Sequence, residues 1–399
     1  MSNGDRTFTK VKLIVGGYDM TDSWITMKVF QSIDAPTWSC ELSILDARNL
    51  FETIPIQHGT EIGITIATAD GSSTDGEVTF PFFIYAIEDK ALHNQQSETY
   101  TLKGVTKAFL QNSTVRINQK YTGMKVTDVI ADVSGQAFPD MAIEISEECD
   151  NTNELLINNW TPFVSIGWLL KQTHKDNRAD FMLFQNDINS FRIDSIEAMY
   201  SDSKNMMNDV ITYKVENAGE LNYHNIIKHN WNHVDVQQNL QNGYYKSTVN
   251  SYDFFNKMWD SSIYTHGDDN KADLQIAPQW KDALFDKAEQ SAVSFIPKMS
   301  NVFQSETGYD DSSKWVPSRR AVLQRLDSEK FEAQLRGSVL YYKWLGYHVY
   351  INMPSNKAET SELYSEVRKG YYLVTAIVHY ITPSSYHTNF EFVKMRVEE

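Results

Sequence analysis

The sequence has few cysteines, no long apolar run and few basic residues. Its two cysteines, Cys40 and Cys149, are too few for a disulfide framework or a thiolate metal site. The longest apolar run, residues 80–87, falls far short of the ~20 residues that span a bilayer, so we expect no membrane insertion. The start, MSNGDRTFTK, lacks the apolar core of a signal peptide. These absences predict a soluble protein that is made in a reducing cytoplasm.

Acidic residues outnumber basic ones. Lysine and arginine total 36 against 52 aspartates and glutamates, which gives a formal net charge of -16. A protein whose main task is to hold DNA or RNA phosphates needs basic stripes, so this charge argues against that function class. An acidic surface suits a channel instead, because it repels a passing polyanion and does not retain it.

No catalytic signature is found along the chain. There is no glycine-rich phosphate loop, no G-x-S-x-G elbow and no H-E-x-x-H motif. We therefore predict that the protein is not an enzyme, and we assign it no catalytic, cofactor-binding or metal-binding residues. His224, His229 and His233 lie close together in HNIIKHNWNH. Because no acidic or cysteine ligand is adjacent, we interpret them as solvated strand or loop histidines rather than a metal site.

Acidic pairs and aromatic residues are the remaining site candidates. Three pairs suit calcium binding or glycoside hydrolysis: Glu147–Glu148, Asp268–Asp269 and Asp310–Asp311. Their sequence positions do not establish the ~5–9 Å separation that hydrolysis needs, so we favour solvated loops. Five aromatic residues could stack on sugars: Trp231, Tyr244, Tyr245, Trp259 and Tyr264. Since Trp and Tyr are also enriched at protein interfaces, we favour an interface.

Two stretches near opposite ends of the chain resemble each other. They are FFIYAIEDKALHNQQSETYTLKG (residues 82–104) and YYLVTAIVHYITPSSYHTNFEFVK (residues 371–394), and each alternates apolar residues around a polar turn, as in a β-hairpin. Ala376 follows Ala86 by 290 residues, and Phe390 follows Tyr100 by the same interval. We therefore predict two hairpins with turns of equal length.

The resemblance extends upstream of both hairpins. HGTEIGITIA (residues 58–67) and LGYHVYINMP (residues 345–354) each have a glycine as the second residue, followed by an alternating strand. The spacer to the hairpin differs by three residues, which is tolerated in a connecting loop. The pattern predicts one building block that is used twice.

We predict an α+β fold that is mainly β. The pattern of predicted strands and helices along the chain divides it into four parts. Residues 1–112 read as a first antiparallel β-barrel. Residues 113–205 read as a small α+β domain, with one helical face at Val126, Val129, Ile130 and Val133 and a second helix that starts at Thr161 and Pro162. Residues 206–235 and 333–399 read as a second barrel, split by an insertion at residues 236–332.

This order of parts resembles the baseplate hub protein family of T4-type contractile phage tails, which includes the hub region of type VI secretion spike proteins. Three motifs carry the resemblance: CELSILDARNLF (residues 40–51), WTPF (residues 160–163) and VTAIVHYI (residues 374–381). The resemblance covers nearly the whole chain in order and size.

The resemblance implies a function. Family members are trimers in which each chain supplies two tail-tube-like barrels, so three chains make a ring of six. We expect a homotrimeric adaptor in the tail baseplate of a virion, assembled in the host cytoplasm. It would join the sixfold tail tube above to the threefold central spike below and line the DNA channel without specific binding. Baseplate wedge proteins and the tape measure are further candidate partners. Because the chain ends directly after the second barrel, we expect the spike on a separate polypeptide.

Three alternatives stay open at the level of the sequence. A receptor- or glycan-binding tail protein would use the exposed aromatic residues. A distal tail protein of a non-contractile phage would have a related architecture. A hydrolase would use the acidic pairs.

Overall fold

The fold is α+β and mainly β, as the sequence predicts. The computed structural model describes residues 8–54, 56–69, 76–94, 97–176, 178–201, 204, 206–213, 223–232, 236–253, 257–265, 292–298, 312–328, 330–353 and 368–394. None of the helices in these stretches combines the length and the apolar character that crossing a membrane requires.

The first half-sheet comes from the N-terminal part of the chain. Its strands are β1 (Phe8–Val15), β2 (Tyr18–Asp19), β3 (Trp24–Ser32), β4 (Ser39–Asp46), β5 (Glu61–Thr68), β6 (Glu77–Asn94) and β7 (Ser97–Val105). A short helix, α1 (Leu50–Thr53), connects β4 to β5. Alternate residues of β4, such as Cys40, Leu42 and Ile44, are buried, which is the period of a strand with one face on a core.

An α+β segment follows the first half-sheet. Its elements are α2 (Lys107–Thr114), β8 (Ile117–Lys125), α3 (Val126–Ala137), β9 (Ala142–Ile145), β10 (Thr152–Trp160), α4 (Pro162–Leu170), β11 (Phe181–Asp187), β12 (Ser190–Ser195) and α5 (Ile196–Ser201). The predicted apolar face of α3 is buried at all four positions. Helix α4 begins at Pro162, as predicted, because proline has no amide hydrogen to lose at a helix start.

The second half-sheet comes from the C-terminal part and is interrupted once. Its strands are β13 (Met206–Thr212), β14 (Ile226–Trp231), β18 (Lys330–Arg336), β19 (His348–Asn352), β20 (Gly370–Ile381) and β21 (Tyr386–Lys394). Between β14 and β18 lie α6 (Val236–Gln241), β15 (Lys246–Asp253), β16 (Met258–Thr265), β17 (Val293–Lys298) and α7 (Ser312–Ser328). Strand β15 is the middle strand of a separate sheet with β16 and β17.

Both half-sheets have the same strand order. The first reads β3-β4-β7-β6-β5-β1 and the second reads β14-β18-β21-β20-β19-β13. When β2 is left out and the six strands of each half-sheet are numbered 1 to 6 in chain order, both half-sheets have the strand order 2-3-6-5-4-1. One orientation differs, since β1 pairs antiparallel with β5 whereas β13 pairs parallel with β19. The repeated building block predicted from the sequence is therefore confirmed in its strand order.

The matched glycines occupy the same place in both half-sheets. Gly59 and Gly346 both have positive φ, at 85° and 76°, where a residue with a Cβ is strained. The Gly59 amide donates to the Ile84 carbonyl at 2.7 Å, and the Gly346 amide donates to the Val374 carbonyl at 3.0 Å. Both hairpins then have a β-bulge one residue further on, at Tyr85 in β6 and between Val374 and Ala376 in β20.

The two hairpins differ in length, which corrects the prediction of equal turns. Ala86 pairs with Lys103, and its counterpart Ala376 pairs with Glu391, so the return strands are offset by 288 residues and not by 290. A shift of two residues leaves every side chain on its original face of the sheet, so the alternation of apolar residues cannot reveal it.

Two closed barrels were expected, and the strand pairing of the described residues does not show them. The half-sheets instead join edge to edge through β3 and β20 into one sheet of 13 strands. In the second half-sheet a single isolated bridge, Thr212 to Asn225, brings the end of β13 to the start of β14. Each half-sheet wraps its own core, and these cores are centred on residues such as Phe80 and Tyr100 in the first and Phe331 and Phe390 in the second.

Candidate assembly interface

Strand β20 changes its partner half way along. Its first residues, 370–373, pair with β19 of the second half-sheet, and residues 376–381 pair with β3 of the first half-sheet. The bulge between Val374 and Ala376 separates the two segments. A bulge bends a strand and increases its twist, so it suits the point where β20 leaves one sheet for the other. We call the pairing of β3 with β20 the internal junction.

A buried polar cluster lies at the internal junction. His379 of β20 is fully buried, with Nδ1 2.7 Å from the Tyr386 hydroxyl and Nε2 3.3 Å from Gln31 Oε1. Gln31 of β3 in turn donates from Nε2 to the Tyr342 carbonyl at 3.3 Å. Burial lowers the pKa of His379 to about 3, because the cluster contains no carboxylate to stabilise an imidazolium. The ring is therefore neutral, and both its nitrogens have a polar neighbour.

The counterpart of β20 in the first half-sheet is β6, and β6 has an open edge. Strand β5 pairs with β6 only as far as Phe83, and on that side no further strand of the described residues follows. Leu92 pairs with Glu98, and Ile381 pairs with Tyr386, so the 288-residue offset of the return strands makes Ile381 the counterpart of Leu92. Ile381 is 0% exposed at the internal junction, whereas Leu92 is 76% exposed.

The counterpart of β3 is β14, and it also has an open edge. Two ladders of directly paired residues define the correspondence: Met27–Leu42–Leu102 and His229–Ala333–Phe390. His229 is thus the counterpart of Met27. Met27 is fully buried against β20, whereas His229 and both its neighbours on β14 are exposed. Beyond the bridge at Asn225, no strand of the described residues pairs with β14 on the side opposite β18.

Two of the three histidines singled out in the sequence, His224 and His229, lie in the described residues, and each contacts an aromatic ring. His224 stacks on Trp344 with ring centroids 5.7 Å apart, and its Nε2 lies 3.7 Å from Asp209. His229 contacts the ring of Tyr213 in an edge-on arrangement, and partial desolvation of its ring together with the charge of Arg368 lowers its pKa. His233 lies outside the described residues. Within the described part of the chain, no three His, Cys, Asp or Glu side chains are grouped as metal ligands.

Of the three acidic pairs, only Glu147–Glu148 lies in the described residues. Glu147 forms a 2.9 Å ion pair with Lys175, and Glu148 pairs with Lys125. Hydrogen bonding to Lys125 lowers the pKa of Glu148, which keeps it ionised and unsuited to act as a general acid. Asp268–Asp269 and Asp310–Asp311 lie outside the described residues.

The predicted aromatic residues separate into buried and exposed ones. Tyr244 and Tyr245 are buried beside Ala321 of α7, and Trp231 stacks on Phe331 at 4.1 Å. Trp259 is 57% exposed on the sheet of the insertion. It forms a row with two residues that the sequence reading missed, at 6.3 Å from Tyr252 and 6.0 Å from Phe295. The alternation of β15 and β17 was the signal that could have placed them on one face.

Solved structures share this architecture. A tail protein from Neisseria meningitidis MC58 matches with a TM-score of 0.57 at 10% identity, covering 97% of this chain and 97% of that one. The 43 kDa tail protein of prophage MuSo2 from Shewanella oneidensis matches with a TM-score of 0.58 at 10% identity, covering 96% of this chain and 98% of that one. The chain has the fold of phage tail proteins. The resemblance seen in the sequence is confirmed at the level of the fold.

A longer protein contains the same fold. The Francisella PdpA–VgrG complex, in its lidded form, matches with a TM-score of 0.50 at 9% identity, covering 98% of this chain and 54% of that one. No protein-family model and no curated protein matches the sequence of this chain. At such low sequence identity, the property that these structures share with the chain is the fold. The domain boundaries predicted from the sequence stay predictions.

Proposed function

We propose that the protein is the structural hub of a phage tail baseplate, a homotrimer that joins the sixfold tail tube to the threefold central spike. The observation that carries the proposal is the duplicated strand order of two half-sheets joined edge to edge within one chain. The shared fold with phage tail proteins from two bacterial sources supports the same setting in a virion.

The duplication answers a problem of symmetry. Three identical chains give a threefold ring, and a threefold ring cannot contact a sixfold ring equivalently. If each chain presents two similar half-sheets, three chains present six similar surfaces to the tube. The differences between the half-sheets, including the insertion between β14 and β18, keep threefold symmetry for the spike.

The charge of the chain supports a channel that does not retain DNA. Each chain carries a formal charge of -16, so a trimer carries three times that charge. DNA passing through an acidic assembly is repelled from its walls. Wedge proteins and the tape measure are further proposed partners, and no catalytic step is assigned to the protein.

The oligomeric state tests the proposal. Mass photometry of the protein mixed with its spike protein should show three copies of this chain, and electron microscopy down the tail axis should show six similar density lobes. A chain that stays monomeric, both alone and with the spike protein, would overturn the trimeric hub.

One observation favours a second candidate, a tail protein that binds glycans. The exposed aromatic row of Tyr252, Trp259 and Phe295 offers flat surfaces, and Phe295 is 70% exposed. Aromatic faces stack on the apolar faces of sugars. Saturable binding on an array of host envelope glycans that is lost in Trp259→Ala would favour this function, and an array without binding would remove it.

A further inference from the structure

We propose that the ring closes by antiparallel pairing of β6 in one chain with β14 of the next chain. The geometry places Leu92 opposite His229 of the neighbouring copy and Ala91 opposite Asn230 of that copy. This inference rests on the proposed trimer, and it names the residues that hold the trimer together.

The internal junction is the template for this pairing. There β20 pairs antiparallel with β3, and Ile381 lies opposite Met27 while Tyr380 lies opposite Lys28. Because Leu92 is the counterpart of Ile381 and His229 is the counterpart of Met27, the same pairing between chains brings Leu92 to His229. Three internal junctions and three such pairings would alternate around a ring of six half-sheets.

Exposure of the two edges supports the proposal. An open edge presents unpaired amide and carbonyl groups and is a template for another strand. Leu92 is 76% exposed, and Ile227 of β14 is 38% exposed. Each edge therefore exposes one large aliphatic side chain to water. Covering Leu92 as its counterpart Ile381 is covered would remove this apolar surface from water.

The charges near the seam are compatible with its burial. On β6, Lys90 pairs with Glu98 at 3.0 Å and Glu88 pairs with Lys103, so both charges have partners within their own hairpin. On β14, residues 226–231 carry Lys228 and His229 and no acidic residue. In the proposed register Lys228 lies opposite His93 and Lys90 lies opposite Trp231, so no two lysines and no two carboxylates face each other across the seam.

Engineered disulfides test the register directly. The native cysteines, Cys40 and Cys149, are both buried and free, which gives a low background. Adjacent residue pairs in an antiparallel ladder alternate between Cα separations of about 5.5 and 4.5 Å, and both suit a disulfide. Two double variants are therefore made, Ala91→Cys with Asn230→Cys and Leu92→Cys with His229→Cys. Under oxidation at least one should give a covalent trimer on a non-reducing gel, whereas each single variant should run as a monomer.

A shifted pair is the matched control. Ala91→Cys with Lys228→Cys moves one cysteine two residues along β14, a displacement of about 7 Å that exceeds the reach of a disulfide. Crosslinking of this pair as strong as that of the designed pairs would overturn the register. A trimer in mass photometry without any crosslink would overturn the β6–β14 pairing and leave the proposed function standing. Absence of a trimer with the spike protein would overturn the proposed function as well.

A substitution at Leu92 tests the β6–β14 pairing without introduced cysteines, which could themselves distort the edge strands. Leu92→Glu should weaken trimer formation by roughly tenfold or more, because it places a charge in the seam. Leu156→Glu, at a residue of β10 that is 42% exposed and distant in sequence from the seam, should leave the trimer unchanged. Equal effects of the two substitutions would count against the seam.

Discussion

His379 is a buried residue that contacts both half-sheets. It lies on β20, and its ring nitrogens face Tyr386 of the second half-sheet and Gln31 of the first. The partners Gln31 and His379 are 348 residues apart in the chain. Their contact depends on the pairing of β20 with β3, so sequence patterns did not reveal it. The buried face of α3 was predictable because it depends only on a local helical period.

The neutral state of His379 predicts acid sensitivity. Its pKa is about 3 in the folded protein against 6.5 for an exposed ring, so between these values the unfolded chain binds a proton that the folded chain does not. The contribution of His379 to the free energy of unfolding is fully present above pH 6.5. It should decrease as the pH falls toward 3, by up to about 1.4 kcal/mol per pH unit. Urea unfolding at a series of pH values measures the slope.

Substitution separates this histidine from the other titrating groups. His379→Gln should reduce the slope between pH 6.5 and 4, although it lowers the stability at neutral pH because the cluster loses a fitted ring. Asn118→Gln, at an exposed residue of β8 that has no ionisable group, is the control and should keep the slope of the unsubstituted protein. An unchanged slope in His379→Gln would contradict the assignment.

At the scale of elements, alternation and glycine positions allowed the repeated strands to be predicted. The Gly59 and Gly346 strands and both hairpins were found because period-2 patterns and positive-φ glycines are local signals. The difference in hairpin length was not found, since a two-residue shift does not change faces. The junction of β3 and β20 was not found either, because an edge pairing between distant strands leaves no local pattern.

Gly337 gives a prediction about how closely these elements pack. A Cβ at this position, directly after β18, would lie 2.1 Å from the ring of Tyr386 in β21. Gly337→Ala should therefore destabilise the protein by about 1–3 kcal/mol, because the buried ring must move. The midpoint of urea unfolding measures the change.

Gly135 is the matched control for that substitution. It lies in the interior of α3, and a Cβ there would meet no atom within 4 Å. Gly135→Ala should stabilise the protein by about 0.5–1 kcal/mol, since alanine loses less backbone entropy in a helix. A stabilising effect of Gly337→Ala would show that β18 and β21 are farther apart than the structure places them.

At the scale of the whole molecule, the composition and the order of parts predicted the fold class and the resemblance to tail proteins. They also led to the expectation of closed barrels, which the strand pairing does not show. Closure is a property of the last pair of edges, and among the described residues no strand pairs with those edges. The alternation of apolar residues predicts which side chains share a face of a strand, but it does not predict which strand edges pair with each other.

The acidic composition gives a prediction about DNA. The purified protein, alone or in the proposed trimer, should not retard duplex DNA in a mobility-shift assay at about 0.15 M salt, because non-specific binding depends on phosphate contacts by lysine and arginine. A basic DNA-binding protein run alongside supplies the positive control. Retardation that disappears as salt rises would show that assembly creates a basic stripe and would contradict an acidic channel.

The place of the insertion has a consequence for the symmetry of the proposed particle. In the first half-sheet β3 leads to β4 through residues 33–38, whereas the corresponding step from β14 to β18 holds the whole insertion. In the proposed ring of six half-sheets, the elements inserted at that step would occur at every second half-sheet. An addition to this step would therefore change three of the six half-sheets and leave the other three unaltered in their contacts with the tube.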